Sequence, residues 1–211
     1  MKKKYNDLTV IKTAAKQYQE NLVSKHLLVI SQNKNKKVEV IEIEFNSSNF
    51  LHLIGVKTKL DPNNFFLKVV TGRLQESDWD YKKDGTTSLK IGIIKGVTEI
   101  YKNAKMVGVY NGNRIKLSTD VCVGNISYYL GLVRTKDITV FNNPIYVPNT
   151  AISYDIRKEI STQNKIVAIY RKDKNLKHYK EVTYVAKNIN LNEIKNQIPQ
   201  YFEECFKNNE F

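Results

Sequence analysis

Residues 38–56 read VEVIEIEFNSSNFLHLIGV, and the fold turns on how they are taken. The first eight are rich in β-branched side chains. Their second half alternates, with Glu42 out, Ile43 in, Glu44 out and Phe45 in, which is the period of a strand. The polar NSSN then leads into FLHLIGV, an apolar run that ends at Gly55. As a further strand, this run sets His52 on the face opposite Leu51 and Leu53.

Outward from this stretch, the two sides differ. Toward the N-terminus, residues 8–23 place Leu8, Ile11, Ala15, Tyr18 and Leu22 at helical spacing, and Ser31 to Lys37 is a polar turn. Toward the C-terminus, Asp61-Pro62 starts a helix, with Asp as cap and Pro at the first helical position. Phe65, Phe66, Val69 and Val70 form its apolar face, and Gly72 is its left-handed terminator. Residues 75–88 are polar and read as an exposed connection. A helix over 88–103 turns Ile91, Ile94, Val97, Ile100 and Tyr101 inward.

From residue 106 onward short strands take over: MVGVY, RIKLS, ISYYLGLVR, DITVF, PIYVP, KIVAIY and KEVTYVA, separated by Asn, Gly, Pro and Asp turns. Asn111-Gly112-Asn113 is a hairpin signal, and RKDKNLKH (171–178) is a charged hairpin tip. LNEIKNQIPQYFEECF (191–206) closes the chain as a helix, restarted at Pro199. The expected fold class is α+β, with N-terminal helices packed on an antiparallel β-sheet. No linker or repeat divides the chain, so one domain over 1–211 is expected.

Composition narrows the function. The 211 residues include 34 Lys and Arg against 21 Asp and Glu, a formal net charge of +13. Residues 1–105 hold 19 basic and 11 acidic residues, and 106–211 hold 15 and 10, so the excess is no tail effect. Such a field favours polyanions, nucleic acid above all. A Lys- and Asn-rich bias from an A/T-rich genome gives the same count without any partner. Cys122 and Cys205 lie far apart and form no metal-ligand spacing, which fits thiols in a reducing cytoplasm. There is no membrane-spanning apolar run and no secretory signal.

Phosphate-loop, dinucleotide, zinc-protease and serine-hydrolase motifs are absent, and the three histidines are widely spaced. No metal and no cofactor is expected. His52 serves equally well as a paired, buried imidazole or as a general acid–base group. A second cluster joins YYLGLVR (128–134) to PNTAISYDIRK (148–158). It brings hydroxyls at Tyr128, Thr150, Ser153 and Tyr154 together with Arg134 and Arg157, two of only five arginines. An arginine fork binds phosphate in two-pronged fashion, or it pairs at the surface with Asp155 or Asp137. Tyr128, Tyr129 and Tyr146 stack on bases or pack within strands.

The order of these segments resembles the fourth group of phage-associated nuclease-like domains of the Barnase–EndoU–colicin E5/D–RelE (BECR) fold. The likeness runs from about residue 8 to residue 195. It is sharpest at Phe50–Gly55 (F-x-H-L-x-G) and Pro148–Arg157 (P-N-T…D-I-R). It implies a BECR, RelE- or barnase-like fold and a metal-independent endoribonuclease of phage or mobile-element origin. It also implies a toxin role, with an antitoxin or immunity protein as partner. Carried over by position, His52, Gly55, Thr150, Asp155 and Arg157 match its motifs, while Ile54 stands where a small polar residue such as Thr is expected. On this reading His52 transfers a proton and Arg157, Arg134 and Thr150 hold the scissile phosphate. Lys57, Lys59 and Tyr128 follow the RNA. The alternative is a non-catalytic module that binds nucleic acid or protein on a degenerate nuclease fold.

Overall fold

The computed structural model describes residues 2–113, 117–138 and 144–198. The first half runs α1 (Lys2–Asn21), β1 (Lys25–Gln32), β2 (Val38–Phe45), α2 (Asn49–Ile54), β3 (Lys57–Thr58), α3 (Pro62–Val70), β4 (Trp79–Asp80), α4 (Thr86–Thr98) and α5 (Ile100–Asn103). The second runs β5 (Met106–Val109), β6 (Val121–Gly124), β7 (Tyr129–Ile138), β8 (Pro144–Ile152), β9 (Asn164–Asp173), β10 (Glu181–Val185) and α6 (Leu191–Lys195).

The strands do not form the expected antiparallel sheet with N-terminal helices packed on it. They pair in the order β1-β2-β8-β7-β6-β5-β9, and β9 pairs back to β1. The result is a closed seven-stranded barrel with the helices outside it, and β10 is added on β9. The barrel is mixed, because β2 and β8 run parallel through Glu42–Ile145 and Ile43–Tyr146. The barnase-like expectation fails at β1. KHLLVISQ is apolar on both faces, so it shows no alternation, and it borders two strands. Val29 lies opposite Ile41 on one side and Ile169 on the other. Without this strand the remaining pieces have nothing to close on. The strand β6 (VCVG) is hidden for the same reason, with all four residues buried.

The largest core joins the helices to one face of the strands. Tyr18 sits at its centre, fully buried, with its ring centroid 6.3, 5.3 and 6.0 Å from those of Phe45, Phe50 and Phe66. This aromatic group fixes α1, α2, α3 and the end of β2 together; each buried phenyl contributes roughly 1.5–3 kcal/mol. The helix α1 begins six residues before the amphipathic stripe, and α3 is capped as expected, with Asp61 accepting from the Asn63 and Asn64 N–H groups. Gly72, at φ +74°, follows its end. Residues 75–88 are more structured than a polar connection, since β4 lies within them and Trp79 is 3% exposed.

The opposite face of β1, β2 and β9 carries a second core of Leu28, Ile30, Val167, Ala168 and Tyr170 beneath Tyr179 and Ile194. Glu42 and Glu44 point to this face as their alternation requires, yet they are 5% and 6% exposed. His26 Nδ1 lies 2.8 Å from Glu42, which also accepts from the Tyr179 hydroxyl at 2.6 Å. Lys172 stands 3.9 Å from Glu42, and Lys174 pairs with Glu44. The hairpin tip thus acts as a cover. The terminal helix is seen only as α6; its proposed continuation over 199–206, Cys205, and parts of RIKLS and DITVF lie outside the described residues.

Candidate active site

FLHLIG is a helix end and not a strand. Phe50, Leu53 and Ile54 are buried at helical spacing, and His52 is left exposed in the last turn of α2. Gly55 stops the helix at φ 60°, ψ 34°, with its N–H donating to the Leu51 carbonyl. That left-handed geometry favours glycine. Because β2 pairs with β8 only at Ile145 and Tyr146, the later part of β8 is bordered by α2 and α4.

A cavity of about 440 Å³ opens where these elements meet. His52, Lys82, Lys90, Ser118, Asn149 and Thr150 supply its polar lining, with Leu51, Val56 and Leu117 beside them. Among the described residues, its lining contains no carboxylate. Lys90 ties the walls together. Its Nζ donates to the His52 carbonyl at 2.7 Å and to Thr150 Oγ1 at 3.0 Å. The stem crosses Gly55 so closely that a Cβ there would lie 2.7 Å from Lys90 Cδ. Thr87, fully buried, donates to the Gly55 carbonyl at 2.7 Å and accepts from the Lys82 N–H at 3.0 Å, holding Lys82 at the rim. Burial, with Lys82 nearby adding repulsion, pushes the Lys90 ammonium down to about 8, against a small opposing pull from Asp84. The site therefore favours an anion and holds one amine that titrates near neutrality.

Residues 10–188 match the model of the family described as phage-Barnase-EndoU-ColicinE5/D-RelE like nuclease4. The chain belongs to this family. No curated protein and no solved structure matches it. Family membership agrees with the resemblance seen in the motifs and makes nucleic acid the expected substrate class. Among the described residues, no helix is long and apolar enough to cross a membrane.

Within this phage nuclease family member, the structure brings His52 and Thr150 to one cavity although they are far apart in sequence. Thr150 is 8% exposed, with its hydroxyl on Lys90. Arg157 does not line the cavity. It lies in a 3-10 turn (Ile156–Lys158), and both its Nε and Nη2 are taken by Asp155, at 3.0 and 2.6 Å. Asp155 also caps that turn through the Arg157 N–H, so the pair holds the chain after β8. Arg134 is exposed on β7 opposite Tyr146. Lys57 and Lys59 are exposed on a neighbouring cavity, of about 420 Å³, beside Trp79. Tyr128 is buried and donates to the Gly96 carbonyl at 2.8 Å, so its ring serves packing and not base stacking. Ile54 is fully buried in the helical core, where a hydroxyl would not face the cavity.

Sequence reasoning missed Lys82, Lys90, Ser118 and Asn149. Only Lys90 left a signal. It stands four residues before Ile94 and seven before Val97, so it occupies the buried stripe of its helix, where a lysine needs a reason.

Proposed function

We propose that this chain is a metal-independent endoribonuclease that acts at the cavity between α2, α4 and β8. The observation that carries this reading is the convergence of His52, Lys82, Lys90 and Thr150 on one carboxylate-free cavity. RNA carries its own nucleophile, the 2′-hydroxyl. Cleavage needs a base for that proton, an acid for the leaving 5′-oxygen, and donors for the phosphorane oxygens. His52, exposed at the rim with no ion pair or hydrogen bond to its imidazole among the described residues, takes the 2′-hydroxyl proton. Lys82 supplies positive charge to the phosphate, and Lys90 stands beside it in the same lining. Thr150 accepts from Lys90, so its own O–H is available to a phosphate oxygen. Lys57, Lys59 and Arg134, exposed outside the cavity, follow the RNA backbone away from the cut.

The test is incubation of the purified protein with total RNA in EDTA, beside His52→Ala. Cleavage that survives EDTA and falls by about 10²–10⁴-fold in the variant supports the reading. Intact RNA in both samples overturns it. Salt-dependent RNA binding without cleavage would instead give the chain to the binding-module reading. A toxin role follows if cleavage is established. Induced expression then arrests bacterial growth, and His52→Ala abolishes the arrest.

A further inference from the structure

We infer that Lys90 is the general acid of this site, the group that gives its proton to the leaving 5′-oxygen while His52 takes the 2′-hydroxyl proton. This rests on the nuclease reading above. Two of the three Lys90 N–H donors are fixed by the protein, on the His52 carbonyl and the Thr150 hydroxyl. The third has no protein partner among the described residues, and Lys90 lines the cavity. A lysine held only for its charge needs no such fixing; an acid needs its remaining proton placed.

The carbonyl that holds Lys90 belongs to His52 itself, so one short helix end sets the spacing of both proton-transfer groups. The charged groups that bear on Lys90 are Lys82 and Asp84 from the segment before α4; α2 contributes the titratable His52 to the same lining, and β8 only uncharged Thr150 and Asn149. With its proton made more labile by burial, Lys90 is still mostly charged at pH 7.

The step balances. The 2′-oxygen forms a bond to phosphorus as its proton passes to His52. The phosphorus–5′-oxygen bond breaks as a Lys90 proton passes to that oxygen. The products are a 2′,3′-cyclic phosphate and a 5′-hydroxyl. Solvent then returns a proton to Lys90 and removes one from His52.

The experiment uses a short RNA spanning a linkage the protein cuts, made with either oxygen or sulfur at the leaving 5′ position. A departing thiolate needs no proton. Lys90→Met and Lys90→Arg should each lose about 10²–10⁴-fold on the oxygen substrate, and both should recover on the sulfur substrate. His52→Ala should stay slow on both. In the wild type, the oxygen-substrate rate should fall above about pH 8, and this limb should vanish with sulfur. Recovery on sulfur also shows that the variant is folded. Full activity of Lys90→Arg on the oxygen substrate would make Lys90 a phosphate-binding cation and overturn the assignment. Equal losses on both substrates would overturn it as well. If the wild type cleaves and loses activity with His52→Ala but not with Lys90→Met, only the Lys90 role fails. If the wild type does not cleave, the nuclease reading and the Lys90 role fall together.

Discussion

Lys90→Met should make the protein more stable, and the gain should depend on pH in a defined direction. In the folded chain the ammonium is pushed from 10.5 down to about 8, chiefly by burial. At about 1.4 kcal/mol per pKa unit, holding the charge at pH 7 costs a ceiling of roughly 3 kcal/mol. The cavity is open to water, and the substitution also removes two hydrogen bonds, whose acceptors must then turn to solvent. About 2 kcal/mol is therefore the expected gain. The sign follows from proton counting. Between pH 8 and 10.5 the unfolded chain binds more protons at this site than the folded one, so wild-type stability rises with pH across that window. The advantage of Lys90→Met should be full at pH 7 and shrink as pH climbs through 8 toward 10.5. Urea unfolding of both proteins at pH 7 and pH 9.5 measures this, and titrations of groups not coupled to Lys90 cancel in the difference. A variant that is less stable than wild type at pH 7, or a difference that does not move with pH, would refute the reasoning.

Three further outcomes are expected. Gly55→Ala and Gly72→Ala both force alanine into the left-handed region, but only Gly55 faces Lys90; at Gly72 nothing lies within 4 Å of the added Cβ. Each should lose about 1–2 kcal/mol in thermal unfolding, while only Gly55→Ala should return the Lys90 pKa toward 10.5 in a lysine-side-chain NMR titration. Glu42→Gln should cost about 3 kcal/mol, because it takes the buried carboxylate from Lys172 and from His26 Nδ1, leaving that ring only Glu44 at 3.7 Å. Burial raises the Glu42 pKa, but the His26 and Tyr179 hydrogen bonds and the Lys172 charge outweigh it and hold it below its ordinary value. Its contribution should be present above pH 4.5 and lost as pH falls through the lowered value, as followed by acid unfolding. Arg157→Ala should change RNA cleavage less than twofold, since its fork is occupied by Asp155 outside the cavity.

Periodicity carried the amphipathic parts of this chain and failed where a segment is apolar all round. The stripe of Leu8, Ile11, Ala15 and Tyr18, the Asp61 cap and the inward face of Ile91, Ile94 and Val97 are all where the spacing puts them. KHLLVISQ and VCVG lack a polar face because both sides are covered, so no period marks them. The first of these is the strand that closes the barrel, pairing with both β2 and β9. FLHLIGV shows a different failure. Its seven residues fit either period, and what decides between them is tertiary: Tyr18 and Phe66 accept Phe50 only if Leu53 and Ile54 follow it on the same side.

The charge of the chain illustrates why a site needs both levels of description. A net charge of +13 is legible at once, but it does not say which cations are free. Arg157 carries the planar fork that suits phosphate, and the structure pairs it with Asp155. Lys172 and Lys174 are set against Glu42 and Glu44 on the far face of β2. Lys82 and Lys90 meet no carboxylate in the cavity lining, though only Lys90, on the apolar stripe of α4, is distinguished from other lysines by its local sequence. The free cations are therefore selected by where the carboxylates have gone. Glu42 and Glu44 alternate out of the helical core, the hairpin tip covers them, and the β8 side of the barrel is left positive. A polyanion meeting this surface finds Lys82 and Lys90 in a lining with no carboxylate among the described residues, where His52 and Thr150 also stand, and that coincidence ties the basic composition to a particular cavity.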